Sequence, residues 1–284
     1  MKRLIYLSMA ALMLLAVSCN KENKPQNNEP VNPLPTTVWT ASWTHSLEGA
    51  LIPFTATIVF EKELVSLVVS TLEIRMNEVP CIQYGRSQYR FVPDSDGGGE
   101  ISFTLSFQSS NPLFVLPETS FSGTYDPDSK VLRLEGFNHY GTDTFGVNDL
   151  EFIKDPNQTT KINPLPATTW TASWTAPSEF QFPVKAFLAF ESTSVSLIIA
   201  PEMKMDGTPV VMYGKAPYKF EYPSETDPTG NVSFTVSTRS STVFMLPELT
   251  FSGTFNPESD VLKLKVSSTD NNIMFKDALD FVKN

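Results

Sequence analysis

The chain has 284 residues, with 31 acidic against 21 basic side chains, a formal charge of −10 and 41% hydrophobic residues. A balance this acidic repels phosphate backbones and anionic headgroups, which excludes nucleic acid as a partner and electrostatic adsorption to membranes. With 2 cysteines and 2 histidines, disulfide scaffolds, thiol catalysis and imidazole chemistry have little to draw on.

Met1-Lys2-Arg3 followed by the apolar run Leu4 to Val17 reads as a secretion signal over residues 1–18, too short for a stable membrane span. It ends in "LAVSCN", which resembles the lipobox of bacterial lipoproteins, with Ala16 where leucine is usual. The resemblance implies cleavage before Cys19, palmitate-type acylation of Cys19 and attachment to a membrane through that lipid. Each buried methylene of such a chain contributes about 0.8 kcal/mol. With Cys19 acylated, Cys81 has no partner; the second half of the chain has Val210 in its place, so a buried apolar role is expected for it.

Residues 19–35, rich in Asn, Pro, Lys and Glu, bury too little apolar surface to order themselves and read as a disordered tether. Sixteen such residues reach at most roughly 55 Å. The tether resembles those of lipoproteins from the Bacteroides group, which implies an outer-membrane location, at the periplasmic face or the cell surface. Of the acidic export signal found there, only "NKEN" is present. Loss of Lys2 and Arg3 leaves 19 basic against 31 acidic side chains, or −12.

Residues 31–155 repeat as 162–284, with the offset between 129 and 131. "NPLPTTVWTASWT" returns as "NPLPATTWTASWT", "YGRSQYRF" as "YGKAPYKF", and "FSGTYDPDSKVLRL" as "FSGTFNPESDVLKL". Two complete domains are expected, 36–155 and 165–284, joined by a linker at 156–164.

Within each copy the apolar period is two. Phe54, Ala56, Ile58 and Phe60 alternate with polar neighbours, as do Ile101, Phe103, Leu105 and Phe107. One apolar and one polar face define antiparallel strands around a core. Turn chemistry separates the runs at "DSDGGG", "DPDS" and "NPES". The expectation is all-β: two tandem antiparallel up-and-down β-barrels of about eight strands each, with β-sandwiches as the alternative. An opening strand with a Trp, followed by seven more in order, resembles the calycin (lipocalin-like) domain. The chain departs from that pattern in lacking a helix and in having Thr37 and Thr168 where a lipocalin has Gly, two residues before the first Trp.

In the opening strand Trp39, Ala41 and Trp43 share one face, and Thr40, Ser42 and Thr44 the other. A core needs only the Trp face to persist, yet both do, so the polar face carries a second constraint. Either each Trp plugs a barrel end, with Gly123 and Gly253 giving room, or Trp39, Trp43, Trp170 and Trp174 form a ligand platform. In the first case Trp43 and Trp174 are expected inside, and Trp39 and Trp170, nearer the strand entrance, partly exposed. Tyr84 and Tyr89 are expected to flank a hairpin turn at Gly85 beside Arg86 and Arg90; Tyr213, Tyr218, Lys215 and Lys219 repeat them. Such a tip either grips a carbohydrate or peptide, or is solvated.

No catalytic constellation is visible. His45 and His139 have no counterparts in the second copy, and no Gly-rich phosphate loop or CxxC occurs. "DSDGGGE" starts like a calcium loop but has Leu105 where a bidentate Glu belongs. The reading is therefore non-enzymatic, without metal or cofactor. Two classes remain: a binding lipoprotein taking a small apolar molecule, glycan or peptide, or a structural or adhesive surface protein resembling, in layout, fimbrial-type components of the same bacteria.

Overall fold

The computed structural model describes residues 31–284, apart from 48, 139, 142–148, 157–162, 178–180, 225–226, 244–245, 247, 269–273 and 276–277. The signal segment, Cys19, most of the tether, His139 and most of the linker lie outside the described residues.

The first copy contains β1 (Thr37–Leu47), β2 (Ala50–Phe60), β3 (Leu64–Ser70), β4 (Arg75–Met76), β5 (Val79–Pro80) and β6 (Gln83–Pro93). It continues with β7 (Gly99–Leu105), β8 (Gln108–Ser109), β9 (Thr119–Asp126), β10 (Val131–Asn138) and β11 (Leu150–Lys154). The second contains β12 (Thr168–Thr175), β13 (Pro183–Phe190), β14 (Ser194–Pro201), β15 (Lys204–Met205), β16 (Thr208–Pro209) and β17 (Met212–Glu221). It ends with β18 (Gly230–Ser237), β19 (Arg239–Ser240), β20 (Glu248–Asn256), β21 (Val261–Ser268) and β22 (Leu279–Lys283).

In the first copy β1, β2, β3, β6, β7, β9, β10 and β11 pair in that order, all antiparallel. β11 then returns to β1 through Trp39↔Lys154 and Thr40↔Ile153, so the sheet closes on itself. The second copy closes identically, with β22 on β12 through Trp170↔Lys283. Closure satisfies the edge groups that a two-sheet sandwich leaves open, and it decides for the barrel. The short β8 and β19 add to β6 and β17, while β4–β5 and β15–β16 are separate two-residue ladders.

The alternation puts one apolar set inside each barrel. Trp39, Phe60, Phe121, Phe152 and Leu132 are fully buried in the first, and Trp170, Phe190, Phe251, Phe281 and Leu262 take their places in the second. Burial of each such side chain contributes about 1.5–3 kcal/mol. The aromatic contacts are copied too: Phe103 stacks on Phe121 at 4.8 Å and Phe234 on Phe251 at 4.7 Å.

"YGRSQYRF" is not a hairpin tip. It runs through the middle of β6, which pairs with β3 from Gln83 to Gln88 and with β7 from Tyr89 to Pro93. Gly85 is there for closeness, not for turning: a Cβ on it would lie 3.1 Å from the Ser106 carbonyl oxygen. Nor do Gly123 and Gly253 make room for a Trp. A side chain on either would run into the carbonyl oxygen of Arg133 or Lys263 on the next strand, so they let the sheet curl tightly enough to close.

A third apolar cluster lies between the barrels and holds them in one compact unit, Asn32–Asn284. It pairs the same outer face of both copies: Val68 with its counterpart Ile198, Ile82 with Val211, Val59 with Ala189, and Tyr84 with Tyr213. Polar contacts surround it. Glu191, 5% exposed, accepts from Lys215 Nζ at 2.6 Å, from Ser70 at 2.6 Å and from Thr55 at 2.9 Å. Arg75 donates to the Tyr213 hydroxyl at 2.6 Å, and Arg239 faces Glu73 at 3.4 Å.

Candidate ligand-binding site

Each barrel has two ends, and the repeated opening motif seals one of them. Asn32 Oδ1 accepts from the Leu34 amide at 3.0 Å, and Asn32 Nδ2 donates to the Tyr89 hydroxyl at 2.9 Å. This drives Leu34 into the core with no exposed surface. Thr36, at φ 66°, makes the sharp turn, after which Thr37 Oγ1 bonds back to the Leu34 carbonyl. That same oxygen accepts from Trp39 Nε1 at 2.7 Å. Asn163, Leu165, Ala167 (φ 54°), Thr168 and Trp170 rebuild the arrangement, with Asn163 donating to Tyr218 at 2.7 Å and Trp170 to Thr168 at 2.8 Å. The Thr found in place of a lipocalin glycine thus satisfies the buried indole N–H. Burial pushes the phenols of Tyr89 and Tyr218 up, that of Tyr218 further, with Asp155 and Glu191 adding to the rise. They are neutral donors in the seal.

This placement corrects the expected exposure of Trp39, Trp170 and Trp43, while Trp174 is buried as expected. Trp39 and Trp170, at 1% and 0% exposed, are the innermost, because the strand entrance is the plugged end. Trp43 and Trp174 sit toward the opposite end, the mouth. Trp174, 7% exposed, donates to the Met274 carbonyl at 2.6 Å and packs on Phe275 at 5.5 Å, so these two residues cover it. Trp43 is partly exposed and stacks on Phe54 at 5.3 Å with an interplanar angle of 10°.

The eight aromatic side chains picked out by sequence therefore do not form one site. Trp39 and Trp170 are core; Tyr89 and Tyr218 seal the entry ends; Tyr84 and Tyr213 lie between the barrels; only Trp43 and Trp174 are at mouths. The polar face of the motif has a partial account. Thr40 and Ser42 line a cleft between the barrels, and Thr171 donates to Asn284 at 3.1 Å, but nothing explains why Ser173 matches Ser42.

The two mouths differ. In the second copy the strand ladder of the opening hairpin reaches Thr175↔Pro183, with the Ala176 amide donating on to the Phe182 carbonyl at 2.9 Å. In the first it runs on through His45↔Ile52 and Ser46↔Leu51 to Leu47↔Ala50. The alternation places His45 and Ile52 on the face that carries Trp43 and Phe54. Exposed apolar residues, Leu51 (74%), Leu113 (62%) and Tyr140 (79%), stand in the segments at this end. The mouth-side groups Glu73 and Arg75 meet mouth-side Arg239 and Tyr213, while Asp155 at one entry end accepts from Ser192 at the other.

Among the described residues, no group of three His, Cys, Asp or Glu side chains could hold a metal ion. Cys81 is buried and its thiol is pushed up by that burial, so it is a weak nucleophile.

No protein-family model matches the chain, and no curated protein matches it. The fold therefore defines the class: tandem closed antiparallel β-barrels, consistent with a calycin-like fold, an architecture compatible with holding a small molecule at its cavity or mouth.

Proposed function

We propose that this chain is a membrane-anchored, non-enzymatic binding lipoprotein of the outer membrane, acylated at Cys19, whose first barrel takes a small apolar molecule or the apolar face of a glycan ring at its mouth. The observation that carries the reading is the partly exposed Trp43 lying parallel to Phe54 beneath the longer opening hairpin of the first barrel. In the second barrel Trp174 is covered by Met274 and Phe275; the matching segment of the first barrel, 142–148, lies outside the described residues. The interior below Trp43 is filled by Ala41, Ala56, Val69, Leu105, Leu134 and Leu150, so the ligand rests on the mouth and not deep in the barrel. The structural or adhesive alternative has less support, since among the described residues the closed barrels leave only two-residue strands, β4, β5, β8, β15, β16 and β19, as edges for strand exchange.

Single-Trp variants test this. Added glycans, fatty acids or flat aromatic ligands should shift the emission of the Trp43-only protein and leave the Trp174-only protein unchanged. Trp43→Ala should lose the binding with a small effect on melting, whereas Trp174→Ala should lower stability by about 3–5 kcal/mol. Equal insensitivity of both tryptophans to every ligand would remove the proposal. Cys19→Ala should release the protein from membranes; continued acyl labelling of that variant would refute the anchor.

A further inference from the structure

Two clefts flank the apolar seam between the barrels, and near-equivalent positions give them opposite character. The smaller, about 320 Å³, is lined by Thr40, Ser42, Thr55, Thr57 and the charged groups Asp155, Glu191 and Lys215. Its charges are used up internally: Glu191 holds Lys215 at 2.6 Å, and Asp155 accepts from Ser192.

The larger, about 470 Å³, lies on the other side of the seam and is within the range of small-molecule sites, which favour domain interfaces. Here Lys62 stands in the position of Ser192, Arg86 in that of Lys215 and Asn284 in that of Asp155, while β22 adds Lys283. Arg86 is paired with Glu61 at 2.6 Å. Lys62 and Lys283 have no carboxylate within ion-pair distance among the described residues, and Asp260 is the further acidic side chain on the described wall.

The rest of the wall mixes polar side chains such as Ser66, Ser106, Gln108 and Thr169 with an apolar group, Val59, Pro164, Pro166 and Ala167, beside Tyr84. The Tyr84 ring is held by Phe187, 5.8 Å away and tilted by 40°, and its hydroxyl bonds with Thr169. Its counterpart Tyr213 is covered, with the Arg75 guanidinium 5.3 Å above the ring. Tyr84 instead presents partly exposed surface to the cleft.

We propose that this inter-barrel cleft is a second ligand site, separate from the mouth of the first barrel, and that it binds a small organic anion with a flat apolar body, of the aromatic or alicyclic carboxylate type. The body lies against Tyr84 and the prolines, and the carboxylate faces Lys62 and Lys283. Calorimetry on the full mature chain with naphthalene carboxylate and its primary amide tests the assignment. The acid should bind saturably and the amide at least roughly tenfold more weakly. In the Lys62→Gln/Lys283→Gln double variant the two affinities should become equal, with melting unchanged. Trp43→Ala should leave acid binding intact, which separates this site from the mouth. Equal affinity of acid and amide for the wild-type chain, indifference to the double substitution, loss of binding on Trp43→Ala, or no saturable binding at millimolar acid would each overturn it.

Discussion

Tyr218 shows how one side chain couples the seal of a barrel to pH. Its hydroxyl accepts from Asn163 at 2.7 Å and faces the carbonyls of Glu191 and Ser192, each at 3.2 Å. Removal from water raises its pKa, and the Asn163 contact only partly offsets that. The folded state thus holds the phenolic proton more tightly than the unfolded chain does. Stability from this source is complete below about pH 10 and declines as pH rises above it, by up to about 1.4 kcal/mol per pH unit. Tyr218→Phe should therefore cost roughly 1–3 kcal/mol near neutrality, where it strands Asn163, yet flatten the alkaline decline. Urea midpoints near neutrality and above about pH 10 measure both effects. Parallel declines in the two proteins would show that Tyr218 does not drive the alkaline loss. The exposure of Trp39, Trp43 and Trp170 was misjudged from sequence for a residue-scale reason. Alternation tells which face a Trp occupies, but not which end of the barrel is stopped. That depends on Leu34, a residue assigned to the tether because the Pro and Asn around it look unstructured.

At the level of elements, the period-two runs placed the strands of both barrels, and "DPDS" and "NPES" placed turns where β9 meets β10 and β20 meets β21. The failure was Gly85, read as a turn because glycine and tyrosine often border hairpins. In a closed barrel glycine has another use, since strands coil so tightly that backbones approach within the space of a Cβ. The strand "LVSLVVS" carried a further signal. Val65, Leu67 and Val69 face inward, yet Val68 is also buried, so both faces are covered, as in a strand with a neighbour outside the barrel. Glycine substitutions should then rank by backbone proximity. Gly123→Ala and Gly253→Ala, where the new methyl meets a carbonyl on the neighbouring strand, should cost about 1–3 kcal/mol or more. Gly85→Ala, at 3.1 Å, should be milder than Gly214→Ala, at 2.6 Å from the Ser237 carbonyl. Thermal melts of the four variants give the order; Gly85→Ala as the worst of them would contradict the curling argument.

For the whole molecule, the duplication does more than double the barrels. The seam joins the same outer face of each copy, as in a two-fold dimer whose subunits have become one chain. Its symmetry has decayed where Phe187 stands opposite the position of Thr57, and where Glu191 turns inward to Ser70 while its counterpart Glu61 stays with Arg86 in solvent. A single copy carries a complete barrel core, so residues 163–284 alone should fold cooperatively. They would then expose Phe187, Ile198, Val211 and Tyr213, an apolar patch that fits a second copy of itself. The isolated second repeat should sediment as a concentration-dependent dimer, and Ile198→Asp should return it to a monomer with its barrel melt retained. In the full chain the same substitution should separate the barrels and erase the inter-barrel clefts, while the mouth of the first barrel, built wholly from its own strands, keeps its ligand. A monomeric wild-type repeat at all accessible concentrations would mean that the seam holds only because the linker keeps the barrels together.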